Sequence, residues 1–159
     1  MKTLFLVRHA KASRDDPSLA DRDRPLNKRG LNDAPVMGKR LHKQSIDRIV
    51  SSPALRALTT AQLFADELGI ARRSIVIDER IYATSADELL ALIHELDDGH
   101  GCVMLFGHNP EFSELAARLA GRDVDMPTCA VARLRFDAAS WADVRPSTLE
   151  RFTLDKPEH

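Results

Sequence analysis

A continuous apolar run near the start of the chain, Leu4–Val7, is followed directly by the charged Arg8. A short run without polar alternation is typical of a strand buried on both faces of a sheet. Similar strands are predicted at residues 47–50, 74–78 and 102–106, and a segment with helix signals follows each of the four. Strands that alternate with helices in this way indicate parallel βαβ units.

Four helices are predicted after these strands, at residues 28–43, 54–68, 86–96 and 110–120. Capping residues mark their ends, because Asn27 precedes the first helix and Gly69 follows the second. Asn109 followed by Pro110 at the first helical position predicts the start of the fourth. Two further strands are predicted at residues 130–136 and 149–154. We therefore expect a single α/β domain over residues 1–159, with three layers, a mostly parallel central sheet, helices on both of its faces and no lid domain.

The composition restricts the class of partner. The chain carries 23 basic and 24 acidic residues, so it lacks the one-signed charge of a protein that binds nucleic acid or a membrane surface. Its two isolated cysteines, Cys102 and Cys129, form neither a disulfide framework nor a zinc motif. The N-terminal apolar run is too short for a signal peptide or a membrane helix. We expect a cytoplasmic protein with no metal, no cofactor, and no nucleic-acid or membrane partner.

The residues suited to chemistry follow the predicted strands directly. Arg8 and His9 come after the first strand, Arg56 comes just after the second, and His108 comes after the fourth. Because the carboxyl ends of parallel strands meet at one edge of a sheet, we expect these side chains to converge. Guanidinium groups match phosphoryl oxygens with paired hydrogen bonds, and a neutral imidazole is a good nucleophile toward phosphorus. The sequence therefore predicts a phosphate site built around a histidine.

Several segments resemble the motifs of a known family, the histidine phosphatase superfamily, also called phosphoglycerate mutase-like. The segment Leu6-Val7-Arg8-His9-Ala10 resembles its R-H-G motif, and residues 52–61 fit its S-P-x-x-R-A-x-x-T-A segment. Gly107-His108-Asn109-Pro110 resembles its second-histidine motif. Arg24-Pro25-Leu26 with Gly30 is similar to the R-P-L-x-x-x-G stretch of the short, SixA-like branch of phosphohistidine phosphatases.

This resemblance, which spans residues 3 to about 120, implies a phosphatase that forms a phosphohistidine on His9 and then hydrolyses it with water, without a metal. It implies that basic and polar side chains hold the phosphoryl oxygens, namely Arg8, Arg24, Arg56, His108 and Asn109. One departure is Ala10, which stands where the usual motif has glycine and narrows the floor of the pocket if its methyl points there.

The proton donor for the leaving group is predicted to be Glu79, a carboxylate that follows the third strand, as in many members of the family. Asp23, on the loop after the first strand, is the competing candidate. For either carboxylate, the alternative role is a structural salt bridge with a nearby arginine. Ser52, before the second helix, is interpreted as a helix cap.

The predicted connections leave no room for a lid over the site. An open site suits a phosphoryl group displayed on a protein surface, so the favoured substrate is phosphohistidine on a phosphocarrier or phosphorelay protein. A broad-specificity phosphatase of small phosphoesters is the alternative within the same class. A phosphate-binding module without catalysis is the alternative from another class, although the complete set of histidines and arginines argues against it.

Overall fold

A computed structural model describes all residues, 1–159, as one α/β domain. Its six-stranded sheet contains β1 (Lys2–Arg8), β2 (Arg48–Ser51), β3 (Val76–Ile77), β4 (Cys102–Gly107), β5 (Val131–Phe136) and β6 (Leu149–Asp155). Its helices are α1 (Lys28–Arg40), α2 (Leu55–Leu68), α3 (Ala86–His94) and α4 (Glu111–Ala120). The strand order is β3-β2-β4-β1-β5-β6. The first four strands are mutually parallel, and β5 is antiparallel to both of its neighbours, β1 and β6. The predicted mostly parallel sheet is confirmed.

The side chains of β1 alternate between two apolar clusters. Leu4 and Leu6 pack in the cluster that contains α3 and α4, whereas Phe5 and Val7 pack in the cluster that contains α1 and α2. All four side chains are fully buried. The prediction of helices on both faces of the sheet is therefore confirmed, and it explains why this strand has no polar alternation.

None of the four helices combines the length and the apolar content that a membrane crossing requires.

The third predicted strand is shorter and more exposed than its sequence suggests. Residues 74–78 were expected to form a buried strand, but β3 contains only Val76 and Ile77, whose exposed fractions are 41% and 52%. The prediction of burial is wrong because β3 lies at the edge of the sheet and pairs only with β2. A β-branched run favours a strand but does not tell a central position from an edge.

The start of the fourth helix also differs from the prediction. Pro110 was expected at the first helical position, but α4 begins one residue later, at Glu111. Asn109 still contributes a capping hydrogen bond, because its Oδ1 accepts from the backbone N–H of Ser113 at 3.1 Å. The side chain thus satisfies one of the free N–H groups in the first helical turn.

The first turn of α1 lies against the chain that follows β1. The side chain of Asn27 accepts a hydrogen bond from the backbone N–H of Gly30 at 2.9 Å. The backbone N–H of Asn27 donates to the carbonyl of Lys11 at 3.0 Å. A Cβ atom at Gly30 would lie well inside van der Waals distance of that same Lys11 carbonyl. The glycine therefore permits the close approach that fixes the segment just after His9.

We expect Gly30→Ala to lower the free energy of unfolding by about 1–3 kcal/mol, because the added methyl displaces backbone rather than a flexible side chain. Asn32→Ala, at an exposed position of the same helix, is the matched control and should change stability by less than about 0.5 kcal/mol. Chemical denaturation measures both. Alanine normally favours a helix over glycine, so an unchanged or increased stability in Gly30→Ala would contradict the close-contact interpretation.

Candidate active site

Three parallel strands end side by side and bring their next residues together. The ladder continues past the strand ends, because the N–H of His9 donates to the carbonyl of Gly107 at 2.9 Å and the N–H of Ser52 donates to the carbonyl of Phe106 at 3.0 Å. Since β4 lies between β1 and β2, His108 lies between His9 and Ser52. The ring centroids of the two histidines are 5.3 Å apart, and His108 Nε2 lies 2.8 Å from Ser52 Oγ.

The imidazole of His9 is oriented by its own backbone neighbour. Its Nδ1 lies 2.7 Å from the carbonyl oxygen of Ala10. A carbonyl oxygen can only accept, so Nδ1 carries the proton of the neutral ring. The lone pair is then on Nε2, which is the tautomer that a nucleophilic nitrogen requires.

Burial keeps both histidines neutral. Loss of hydration lowers the pKa of His9 to about 3, and the positive charges of Arg56 and Arg8 act in the same direction. Burial also lowers the pKa of His108 to about 4, and the charge of Arg56 is the next largest contribution to that shift. A group with a lowered pKa takes up a proton only at lower pH, so both rings are uncharged near neutrality.

Arg8 has no carboxylate partner. Its Nη1 donates to the carbonyl of Met126 at 3.0 Å, and its Nε is buried without a hydrogen-bond partner in the protein. Burial lowers the pKa of its guanidinium, but arginine remains charged in proteins. The strand end therefore presents an unneutralised cation beside His9, which is suited to an anionic group.

Arg56 is held by a carboxylate that the sequence reasoning missed. Its Nη1 donates to the carbonyl of Asp21 at 2.7 Å, and its Nη2 donates to Asp21 Oδ2 at 3.0 Å. The hydroxyl of Tyr82 donates to the same oxygen at 2.6 Å. These hydrogen bonds, with that from Tyr82 first, hold the pKa of Asp21 well below its usual range. Asp21 is therefore a fixed anion that orients the guanidinium.

Thr60 connects the end of β1, which carries His9, to the helix that carries Arg56. Its hydroxyl accepts from the N–H of Ala10 at 3.0 Å and donates to the carbonyl of Arg56 at 2.7 Å. Thr60 belongs to the recognised S-P-x-x-R-A-x-x-T-A segment, yet the sequence alone assigned it no role. The methyl of Ala10 is fully buried in the cluster under α1 and α2, so it contributes to the core rather than to the pocket floor.

The structure does not bring the two predicted proton donors to the site. Glu79 is 70% exposed in its side chain and pairs with Arg22 at 2.9 Å. It follows the edge strand β3, so two strands separate it from β1. Asp23 is exposed on the short 3₁₀ turn Asp21–Asp23. The alternative role for Glu79, a structural salt bridge with a nearby arginine, is the contact that the structure contains.

The remaining predicted residues lie beside the site but are engaged within the protein. Arg24 donates from Nε to the carbonyl of Ser13 at 3.1 Å and from Nη1 to Asp21 Oδ1 at 3.2 Å. Asn109 donates from Nδ2 to the carbonyl of Met126 at 2.8 Å. Ser52 serves in two ways, because its Oγ accepts from the N–H of Ala54 as a cap does and also contacts His108.

A cavity of about 200 Å³ opens onto His108 and Arg56. The lining also contains two carboxylates and three other residues, so that the full set is Asp21, Arg56, Tyr82, Ala83, His108, Asn109 and Glu111. Ala83 adopts the left-handed backbone conformation, with φ of 52°, which is uncommon for a residue with a Cβ atom. A second, larger groove beside β3 and α3 contains none of the predicted site residues.

Comparison with known proteins identifies the family of the chain. The family model of the histidine phosphatase superfamily (branch 1) matches residues 4–95. A Mycobacterium tuberculosis protein, Rv1276c, is 32% identical over 88% of this chain and 92% of its own length. Phosphohistidine phosphatase SixA of Escherichia coli is 28% identical over 84% of this chain and 85% of its own.

A crystal structure from Agrobacterium tumefaciens, of a protein assigned as phosphohistidine phosphatase SixA, superposes with a TM-score of 0.77. It is 30% identical and covers 85% of this chain and 92% of the other. The chain therefore belongs to the histidine phosphatase superfamily, branch 1, and has the fold of its SixA-like phosphatases.

Proposed function

We propose that this phosphatase removes phosphoryl groups from histidine side chains of other proteins, through a phosphohistidine intermediate on His9. The observation that carries the proposal is the state of His9, a buried neutral imidazole whose Nε2 holds a lone pair. Arg8, Arg56 and His108 surround it, and His108 and Arg56 line the adjoining cavity. Similarity to proteins named SixA supports the substrate class.

In the first step, the lone pair of His9 Nε2 attacks phosphorus, and the bond from phosphorus to the leaving group breaks with its electron pair on the leaving atom. The planar guanidinium groups of Arg8 and Arg56 donate hydrogen bonds to the negatively charged phosphoryl oxygens, and His108 donates a further hydrogen bond. Because Asp21 already fixes the Arg56 fork, no reorganisation is needed when the substrate arrives.

In the second step, water attacks the phosphorus of phospho-His9 and the P–N bond breaks, which returns the imidazole with its lone pair. Positive charge from the two arginines replaces the role that a metal ion has in other phosphatases, so we propose that no metal is required. The carbonyl of Ala10 retains the Nδ1 proton through both steps, so the leaving imidazole is neutral rather than an anion.

The size of the cavity favours a small reacting group on a larger partner. A volume of about 200 Å³ is below the roughly 300–1,000 Å³ of pockets that enclose a whole small-molecule ligand. It suits a phosphoryl group with the ring that carries it, while the rest of the partner stays outside. We therefore propose a phosphocarrier or phosphorelay protein as substrate.

Two free cysteines agree with a reducing cytoplasm as the compartment.

We expect His9→Ala to abolish turnover, to below about a thousandth of the wild-type rate, because a covalent step does not survive loss of its nucleophile. Incubation with ³²P-phosphohistidine protein in EDTA, followed by quenching, should label the wild type and leave His9→Ala unlabelled. His42→Ala, at an exposed histidine, is the matched control and should retain activity and label. Turnover without any labelled enzyme would contradict the intermediate, and hydrolysis of small phosphoesters alone would favour the alternative phosphomonoesterase.

We expect Arg56→Lys to lower kcat by about tenfold or more, because lysine keeps the charge but loses the planar two-donor fork. Arg72→Lys is the matched control, since Arg72 likewise donates two hydrogen bonds to a single aspartate, here to both carboxylate oxygens of Asp66, but at an exposed position away from the cavity. Steady-state kinetics measures both variants. A near-wild-type rate in Arg56→Lys would mean that Arg56 acts only as a distant charge.

The low pKa values of His9 and His108 predict that both imidazoles stay neutral between about pH 5 and pH 8, whereas a solvated histidine titrates near 6.5. The direction of the pKa shift follows from burial, which penalises the protonated, charged form of the ring and therefore moves protonation to lower pH. Histidine ¹⁵N–¹H NMR measures this directly, with His9→Ala to assign the signals. A midpoint of His9 near 6.5 would contradict the proposed neutral nucleophile.

A further inference from the structure

Two carboxylates line the cavity, and they differ in how they are neutralised. Asp21 accepts hydrogen bonds from Arg56, Arg24 and Tyr82. Glu111, half-buried at the start of α4, forms no ion pair and no hydrogen bond to another side chain. Apart from a hydrogen bond with its own backbone, the carboxylate of Glu111 has no partner in the protein, so of the two it is the one available to a substrate.

A free carboxylate beside a phosphate site is unfavourable for an ordinary phosphoester. Its charge repels the phosphoryl dianion, and the carboxylate lies next to the groups that bind the anion, Arg56 and His108. The repulsion is removed if the substrate places a proton between the two anions. A phosphorylated imidazole does so, because the ring nitrogen that lacks the phosphoryl group can carry an N–H.

We infer that Glu111 is a catalytic, specificity-determining residue whose carboxylate accepts the N–H of the leaving imidazole. This inference rests on the proposed function. As His9 Nε2 forms its bond to phosphorus, the bond between phosphorus and the substrate nitrogen breaks and leaves its electron pair on that nitrogen. The other ring nitrogen keeps its proton, held by Glu111, so the leaving group is neutral imidazole rather than the far more basic imidazolate.

The environment of Glu111 suits a group that shares a proton. Burial raises the pKa of Glu111 and outweighs the opposing hydrogen bond with its own backbone, while the neighbouring charge of Glu114 adds to the rise. A carboxylate of raised pKa is a stronger hydrogen-bond acceptor than a fully solvated one, because proton affinity rises with pKa. Asp21, whose pKa is held low, is unsuited to the same task.

The test compares Glu111→Gln with Glu114→Gln, which removes the other acidic residue from the first turn of the same helix at an exposed position. The kcat/KM values are measured on a phosphohistidine protein and on p-nitrophenyl phosphate, whose phenolate leaving group needs no proton. We expect Glu111→Gln to lower the ratio of the two values, phosphohistidine over aryl phosphate, by roughly 10²-fold. Glu114→Gln should leave the ratio within about twofold of wild type, since a variant that only destabilises the helix should lower kcat/KM by the same factor on both substrates.

A fall of less than tenfold in the ratio for Glu111→Gln, including an equal loss on both substrates, would overturn the inference. Activity measurements on the wild-type enzyme distinguish failure of the inference about Glu111 from failure of the proposed function. If the wild type hydrolyses the aryl phosphate but not the phosphohistidine protein, the proposed function is wrong and the inference falls with it. If the wild type hydrolyses both, the ratio tests Glu111 alone.

Discussion

The hydrogen-bond ladder that joins the ends of β1, β4 and β2 determines the positions of His9, His108 and Ser52. Its last bonds, from His9 to Gly107 and from Ser52 to Phe106, lie beyond the strands themselves. They hold the two histidine rings 5.3 Å apart without any direct bond between the rings. Apolar side chains on both faces of these strands bury the ladder, so the same strands form the core and position the histidines of the site.

Burial of the ladder also determines the charge state of the site. A histidine at the edge of a core loses hydration, and that loss is the largest contribution to the lowered pKa of both His9 and His108. The arginines add to the effect, although they are needed for the phosphoryl group and not for the histidines. One arrangement therefore keeps the proposed nucleophile neutral and places positive charge where the phosphoryl group is proposed to bind, two conditions that are hard to meet together in water.

The sequence was sufficient for the part of the site that sheet geometry dictates. Arg8, His9 and His108 directly follow strands and Arg56 lies in the first turn of the helix after β2, so knowing that the strands are parallel predicts that they meet. Glu79 also follows a strand, but that strand is at the edge, and nothing in the apolar run of residues 75–77 indicates its place in the sheet. Asp21 was missed for another reason. It lies in a polar loop next to a run of charges, and its contact with Arg56 depends on the path of the folded loop.

The position of the carboxylates explains how a chain with a net charge of −1 forms an anion site. The positive charge of Arg56 is offset by Asp21, which lines the same cavity and orients the guanidinium, whereas Arg8 forms no ion pair with a carboxylate. The remaining carboxylate of the cavity, Glu111, is on α4 rather than on a strand end. In the proposed reaction, cations from the end of β1 and from the first turn of α2 meet the phosphoryl group, while an anion from the first turn of α4 is left for the leaving group. This separation of positive and negative groups within one cavity is the basis of the proposed preference for a substrate that is anionic at phosphorus and protonated on its ring.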